Sequence, residues 1–192
     1  MGITNATRLE DAAWRRVEAS GGGALFEIGI HHIDACAFLP GDKIDNVQML
    51  EHSGAYDDES VSLLARTNGG VLISSSFSQV KAPFNEFRIF GDRGALSFSL
   101  YHADSFALAN SSQPSFGLRG RLSRLSRLHE FPELLRVLRS GGDYLLSYHE
   151  QWKRFSAAAG RESAPASSFA DGLSALKVVH GALASRDPAG QI

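Results

Sequence analysis

Ionisable side chains crowd one short stretch of this chain, Glu27-Ile28-Gly29-Ile30-His31-His32-Ile33-Asp34, and they are of the types that move protons. On a helix, spacings of four and three put Glu27, His31 and Asp34 on neighbouring turns of one face. A carboxylate within reach of an imidazole fixes its tautomer and stabilises its protonated form, leaving the other ring nitrogen to take a proton from a substrate. The same pair also serves as a plain structural ion pair or a satisfied core histidine, and the residues alone leave both readings open. His32 points about a hundred degrees around the helix from His31 and reads as a packed or interface residue. Glu27, His31 and Asp34 nominally supply three metal ligands. Zinc sites draw chiefly on Cys and His, however, and with Cys36 the single cysteine and no further His cluster nearby, no metal is expected.

The elements that must position these groups follow from the patterning. Gly21-Gly22-Gly23 gives way to Ala24–Leu39, where Leu25, Ile28, Ile33 and Phe38 recur at helical spacing until Pro40-Gly41 stops them. A buried helix is expected there, preceded by a polar arm over 1–20 with Trp14-Arg15-Arg16 as its large anchor. Ile44–Glu51, Val61–Thr67, Val71–Ser78, Asn85–Phe90 and Ala95–His102 read as strands, with Asn68-Gly69-Gly70 and Gly91-Asp92-Arg93-Gly94 as turns. Connections this short require antiparallel neighbours. Ala103–Gly120 reads as a loop, and Leu122, Leu125 and Leu128 mark a short helical stripe before Pro132. Tyr144, Tyr148, Trp152 and Phe155 form an aromatic helix face, and Leu173, Leu176, Val179 and Leu183 line a last helix over Asp171–Ser185. The fold class expected is α+β, a largely antiparallel open-faced sheet packed on one side by helices. The division expected is an arm over 1–20, one domain over 21–187 and a tail over 188–192.

Composition narrows the partners. The 192 residues carry a formal charge of −2, so no global basic field draws the chain to nucleic acid or to anionic membranes. Arg119, Arg121, Arg124 and Arg127 lie close together, but without interleaved aromatics they read as a solvated helix face first and an anion site second. One cysteine excludes an internal disulfide, and no stretch approaches the ~20 apolar residues of a membrane span. A soluble cytoplasmic protein is the expectation.

The run Gly21-Gly22-Gly23-Ala24-Leu25-Phe26-Glu27-Ile28-Gly29-Ile30-His31-His32-Ile33-Asp34 resembles the start of the C-terminal domain of the Gfo/Idh/MocA family of NAD(P)-dependent oxidoreductases. The resemblance continues through Asn68-Gly69-Gly70, Ile89–Leu96, Tyr148–Phe155 and Asp171-Gly172-Leu173. It implies a dehydrogenase acting on a sugar or polyol hydroxyl, with His31 as the general base and Glu27 where the family carries an aspartate, one methylene shorter. It places Asp34 at an acidic position common in this helix, which either binds a substrate hydroxyl or hydrogen-bonds neighbouring backbone or His31. NAD or NADP is implied, yet no dinucleotide fingerprint is found: Phe26 stands where the third glycine belongs, and Gly91–Gly94 joins two strands. The family's catalytic lysine has no counterpart either. The chain is therefore expected to be inactive without a dinucleotide-binding Rossmann domain. A homo-oligomer or a Rossmann-domain partner is expected, through a sheet face on which Val71, Ile73 and Phe77 are candidates; these three otherwise face the domain's own helices. The strand that precedes the arm in this family is expected to be missing, leaving a sheet edge to be covered. Rival readings are a non-catalytic binding or assembly module, and part of a redox-neutral lyase or glycosidase.

Overall fold

The computed structural model describes residues 2–4, 13–55, 57–79, 84–99, 106–110, 143–161 and 163–186. The leucine stripe at 122–128 and the arginine cluster at 119–127 lie outside them. The chain divides into two units, Met1–Phe84 with Ser167–Ile192, and Asn85–Ala166.

The first unit is a four-stranded sheet with helices on one face. Strands β1 (Gly2–Thr4), β2 (Ile44–His52), β3 (Ser60–Thr67) and β4 (Leu72–Ser78) lie in the order β2-β3-β4-β1. The pairs β2–β3 and β3–β4 are antiparallel, as the short turns demand, while β1 runs parallel to β4. The expectation of an uncovered edge is thus corrected: Gly2–Thr4 supply the strand, three residues inside a stretch too polar and short to read as one.

Side chains alternate across this sheet. Val61, Leu63 and Ala65 of β3 point to one face with Phe77 of β4 and Met49 of β2. Against that face pack a turn at Leu25–Gly29, helix α1 (Ile30–Phe38) and helix α3 (Phe169–Ala184), which contribute Leu25, Ile28, Ile33, Val179 and Ala182. Each large apolar side chain taken out of water there contributes about 1.5–3 kcal/mol. Helix α3 opens with a capping box, in which Asp171 accepts the Ser168 backbone N–H and the Ser168 side chain caps the third helical residue.

Register also decides the sheet positions named as a candidate contact face. Phe77 pairs with Val61 and Ile73 with Ala65, so both side chains face the helices; Phe77 is buried and Ile73 partly so. Val71 precedes β4 and is half exposed. The outward face carries Leu50, Leu64 and Leu72 instead. Leu64 pairs with Gln48 on β2 and Ser74 on β4, so the three leucines form a diagonal across the strands.

The second unit holds β5 (Phe84–Gly91), β6 (Gly94–Phe98) and β7 (Ala107–Asn110), paired antiparallel in that order, and helix α2 (Asp143–Ala159). Phe87, Phe98 and Phe106 stack with ring centroids 5.2 Å apart at each step. Strand β7 lies inside the stretch expected to be a loop. Its two alanines are weak strand formers, and Leu108 pairs with Leu96 only once β6 is in place. Trp152 and Phe155 of α2 pack edge to face as its aromatic stripe predicts, yet both remain more than half exposed. The described residues of both units form no parallel βαβ dinucleotide fold, and none of their helices is long and apolar enough to cross a membrane.

Candidate functional site

Ala24 is already in the helical region at φ −66° and ψ −33°, and the next five residues, Leu25–Gly29, form a π turn before α1 begins. The Ile30 N–H reaches back five residues to the Leu25 carbonyl. One residue more than an α-turn is accommodated there, so the α-helical spacing used to align Glu27 with His31 does not apply across the joint. Such single π turns inside helices recur at functional sites.

Glu27 stands in this turn. Its Oε2 accepts a hydrogen bond from Gln79 Nε2 at 2.8 Å, and its Oε1 lies 3.2 Å from Arg15 Nε in an ion-pair contact whose angle falls outside a hydrogen bond. Gln79, almost wholly buried beyond the end of β4, also donates to the Gly23 carbonyl at 3.3 Å. Arg15 stacks over the Trp14 ring at 5.5 Å, which ties the arm to the same carboxylate. Among the described residues, the partners of Glu27 are therefore Arg15 and Gln79. His31 is exposed on α1 and no hydrogen bond joins it to Glu27; Asp34 is exposed one turn further on.

His32 is buried, with Nδ1 3.0 Å from the Ile28 carbonyl and its ring tilted against Phe77. Burial lowers its pKa to about 4, with the Ile28 carbonyl opposing and His31 adding to the fall. It is a packed neutral histidine, as its place on the helix predicts. Burial also raises the Cys36 thiol to about 11, which keeps it from acting as a thiolate nucleophile. No three His, Cys, Asp or Glu side chains among the described residues cluster as a metal site requires.

Asp58, unnoticed in the sequence, governs the start of this helix. Its Oδ2 accepts the Leu25 N–H at 2.8 Å and its backbone carbonyl accepts the Ala24 N–H at 3.2 Å. Gly23 adopts φ +89°, and a Cβ there would lie 1.4 Å from Asp58 Oδ1. A Cβ on Gly22 would meet the Trp14 carbonyl oxygen at 2.4 Å, so the glycine run makes room for the arm on one side and Asp58 on the other. The consequence for a dinucleotide is direct. A pyrophosphate needs free N–H groups at a helix N-terminus, and here an acidic residue holds two of them, so these glycines do not fit the cofactor.

Residues 3–97 match the family described as GFO/IDH/MocA C-terminal domain. The fold likeness extends further. The WlbA dehydrogenase from Bordetella pertussis, in complex with NADH and UDP-GlcNAcA, aligns at TM-score 0.67 and 14% identity over 96% of this chain and 52% of its own. The aldose-aldose oxidoreductase from Caulobacter crescentus, complexed with glycerol, aligns at TM-score 0.64 and 15% identity, over 96% and 50%. A putative myo-inositol dehydrogenase from Sinorhizobium meliloti aligns at TM-score 0.60 and 20% identity, over 96% and 53%. No curated protein sequence matches the chain. The chain thus belongs to the Gfo/Idh/MocA C-terminal domains, and it spans about half the length of the solved structures it resembles.

Proposed function

We propose that this chain is the substrate-side and assembly domain of an NAD(P)-dependent oxidoreductase acting on a sugar or polyol hydroxyl. The observation that carries the reading is His31, exposed on the helix of the family's distinctive segment, one turn beyond a carboxylate fixed in place by Arg15 and Gln79. In this reading His31 takes the hydroxyl proton through a ring nitrogen, and Asp34 binds a neighbouring hydroxyl of the substrate. Glu27, held by Arg15 and Gln79, anchors the turn that leads into the helix bearing His31. The hydride acceptor is held outside the described residues, since the glycine run does not fit a pyrophosphate. The chain works in the cytoplasm, and alone it is inactive.

Assembly uses the outward face of the first sheet. Leu50, Leu64 and Leu72 are 70%, 60% and 80% exposed on neighbouring strands, an apolar diagonal that a second copy of the chain would cover. A second reading, a binding or assembly module without redox chemistry, is favoured by one observation: among the described residues Glu27 is committed to Arg15 and Gln79 and makes no hydrogen bond to His31.

Two measurements separate these. Native mass spectrometry of material from the natural host asks whether the chain travels with a Rossmann-domain polypeptide. Assays of the purified chain with sugars, polyols, NAD and NADP, with and without that polypeptide, ask whether reduced dinucleotide forms. Turnover only in the reconstituted pair, abolished by His31→Asn, supports the dehydrogenase. A homo-oligomer that binds sugar, carries no dinucleotide-binding polypeptide and shows no turnover supports the module, and turnover by the chain alone overturns both.

A further inference from the structure

We infer that Asp58 is a protonation-controlled latch joining the arm to the first turn of the helix that carries Glu27 and His31. The side chain is wholly buried. Its Oδ2 holds the Leu25 N–H at 2.8 Å, whereas its Oδ1 has no hydrogen-bond partner and fills the space left by the missing Cβ of Gly23. A buried carboxylate oxygen with no donor is costly while it bears charge.

The surroundings add to that cost. From the arm comes Glu18, whose backbone N–H donates to Asp57 Oδ2 at 2.9 Å, and from β2 comes Glu51. Arg186, following α3, is committed to both of these carboxylates: its Nη2 pairs with Glu18 and lies 2.8 Å from Glu51 Oε2, while Arg15 on the arm is paired with Glu27. Asp58 therefore faces two acidic neighbours with their counter-ion already engaged, and from the helix it faces the uncharged Gly23 and Leu25. Desolvation, with Glu18 and Glu51 adding to it and the Leu25 N–H opposing, raises its pKa to about 6.

Near neutral pH the latch is thus poised between two states. With Asp58 protonated, the neutral carboxyl still accepts the Leu25 N–H through Oδ2 and the first turn is closed. With Asp58 ionised, charge builds up between Glu18 and Glu51, and the contact between arm, Gly23 and Leu25 loosens. The Arg15–Glu27 ion pair spans the same joint, so opening the latch frees the site carboxylate as well. This inference does not depend on the chemistry proposed for His31.

NMR of the intact chain tests it. The Asp58 side-chain carboxyl carbon and the Leu25 amide are followed from pH 4 to 8 in the wild type and in Asp58→Asn, which keeps an acceptor for Leu25. Both signals are expected to titrate together near pH 6, and protection of the Leu25 amide is expected to fall about tenfold across the transition, tenfold corresponding to about 1.4 kcal/mol. In Asp58→Asn the Leu25 amide titration is lost. An Asp58 carboxyl that titrates in the ordinary range near 4 overturns the latch. So does a Leu25 titration that persists in Asp58→Asn, because it then belongs to a histidine. Should Asp58→Asn fail to fold, the wild-type carboxyl titration and Leu25 protection decide alone.

Discussion

Gly23→Ala is the sharpest perturbation of the helix start. The substitution meets two separate obstacles. At φ +89° an alanine pays the left-handed penalty of about 1–2 kcal/mol. Its Cβ would also lie 1.4 Å from Asp58 Oδ1 and 2.4 Å from Asp58 Cγ, far inside contact distance, so the carboxyl must leave. Leaving exposes the buried Leu25 N–H to the loss of its only side-chain acceptor, a cost of about 1–3 kcal/mol. The expected loss is therefore roughly 3–4 kcal/mol, read as a fall of about 1–2 M in the urea midpoint of unfolding followed by circular dichroism. A double-mutant cycle sharpens the argument. In Asp58→Ala the cap is already gone and the clash removed, so adding Gly23→Ala should cost only the backbone strain, and the two changes should be non-additive by at least about 1 kcal/mol. A loss below about 1 kcal/mol in Gly23→Ala, or simple additivity with Asp58→Ala, would refute the close approach on which the argument rests.

Acid stability divides between two buried groups of opposite sign. His32, lowered to about 4, contributes stability that is present above the ordinary histidine value of 6.5 and is lost as pH falls through 4; Asp58, raised to about 6, contributes stability that is present below 3.8 and is lost as pH rises through 6. Each spans about two pH units, on the order of 3 kcal/mol, so the two nearly offset between pH 4 and 6. Asp58→Asn leaves His32 unopposed, and its thermal stability should drop steeply from pH 6.5 to 4 where the wild type is comparatively flat; equal slopes in the two proteins would contradict the assignment. Gln79→Leu removes the donor shared by Glu27 Oε2 and the Gly23 carbonyl, at about 1–3 kcal/mol. In a chain of this size, at about 2–4 °C per kcal/mol, that is a fall of about 2–12 °C in the melting temperature, and an unchanged melting curve would show that Gln79 is not what fixes the carboxylate.

Much of the scaffold was legible because its signals are local. The three glycines, the helical spacing from Leu25 to Phe38 and the Pro40-Gly41 stop locate the site helix to within a residue or two. Strands β2 to β6 follow from alternation and from turn residues at Asn68-Gly69-Gly70 and Gly91–Gly94. What escaped depends on distance along the chain. Gln79 is 52 residues from Glu27 and Asp58 is 33 from Leu25, and no local pattern marks either as a partner. Periodicity also misled at the π turn, because a wheel drawn at 3.6 residues per turn assumes the hydrogen-bond pattern that Leu25–Gly29 abandon. The faces of β4 were a matter of register: Val71, Ile73 and Phe77 share a phase, and only pairing with Val61 and Ala65 shows that this phase points inward.

The position of Glu27 links these observations to chemistry. An aspartate at this position, as in the family the segment resembles, ends about 1.5 Å closer to the backbone, one carbon–carbon bond shorter. The longer glutamate reaches away from the helix to Gln79 at the end of β4 and to Arg15 on the arm, so a single carboxylate closes a path from arm to helix to sheet. The same reach withdraws it from the imidazole one turn on. In an Asp–His arrangement the carboxylate orients the ring and stabilises its protonated form; among the described residues Glu27 makes no hydrogen bond that would do this for His31. On the proposed reading, in which His31 is the base, the longer side chain exchanges a preset catalytic pair for a structural joint, and the imidazole is oriented only when a bound substrate completes its surroundings.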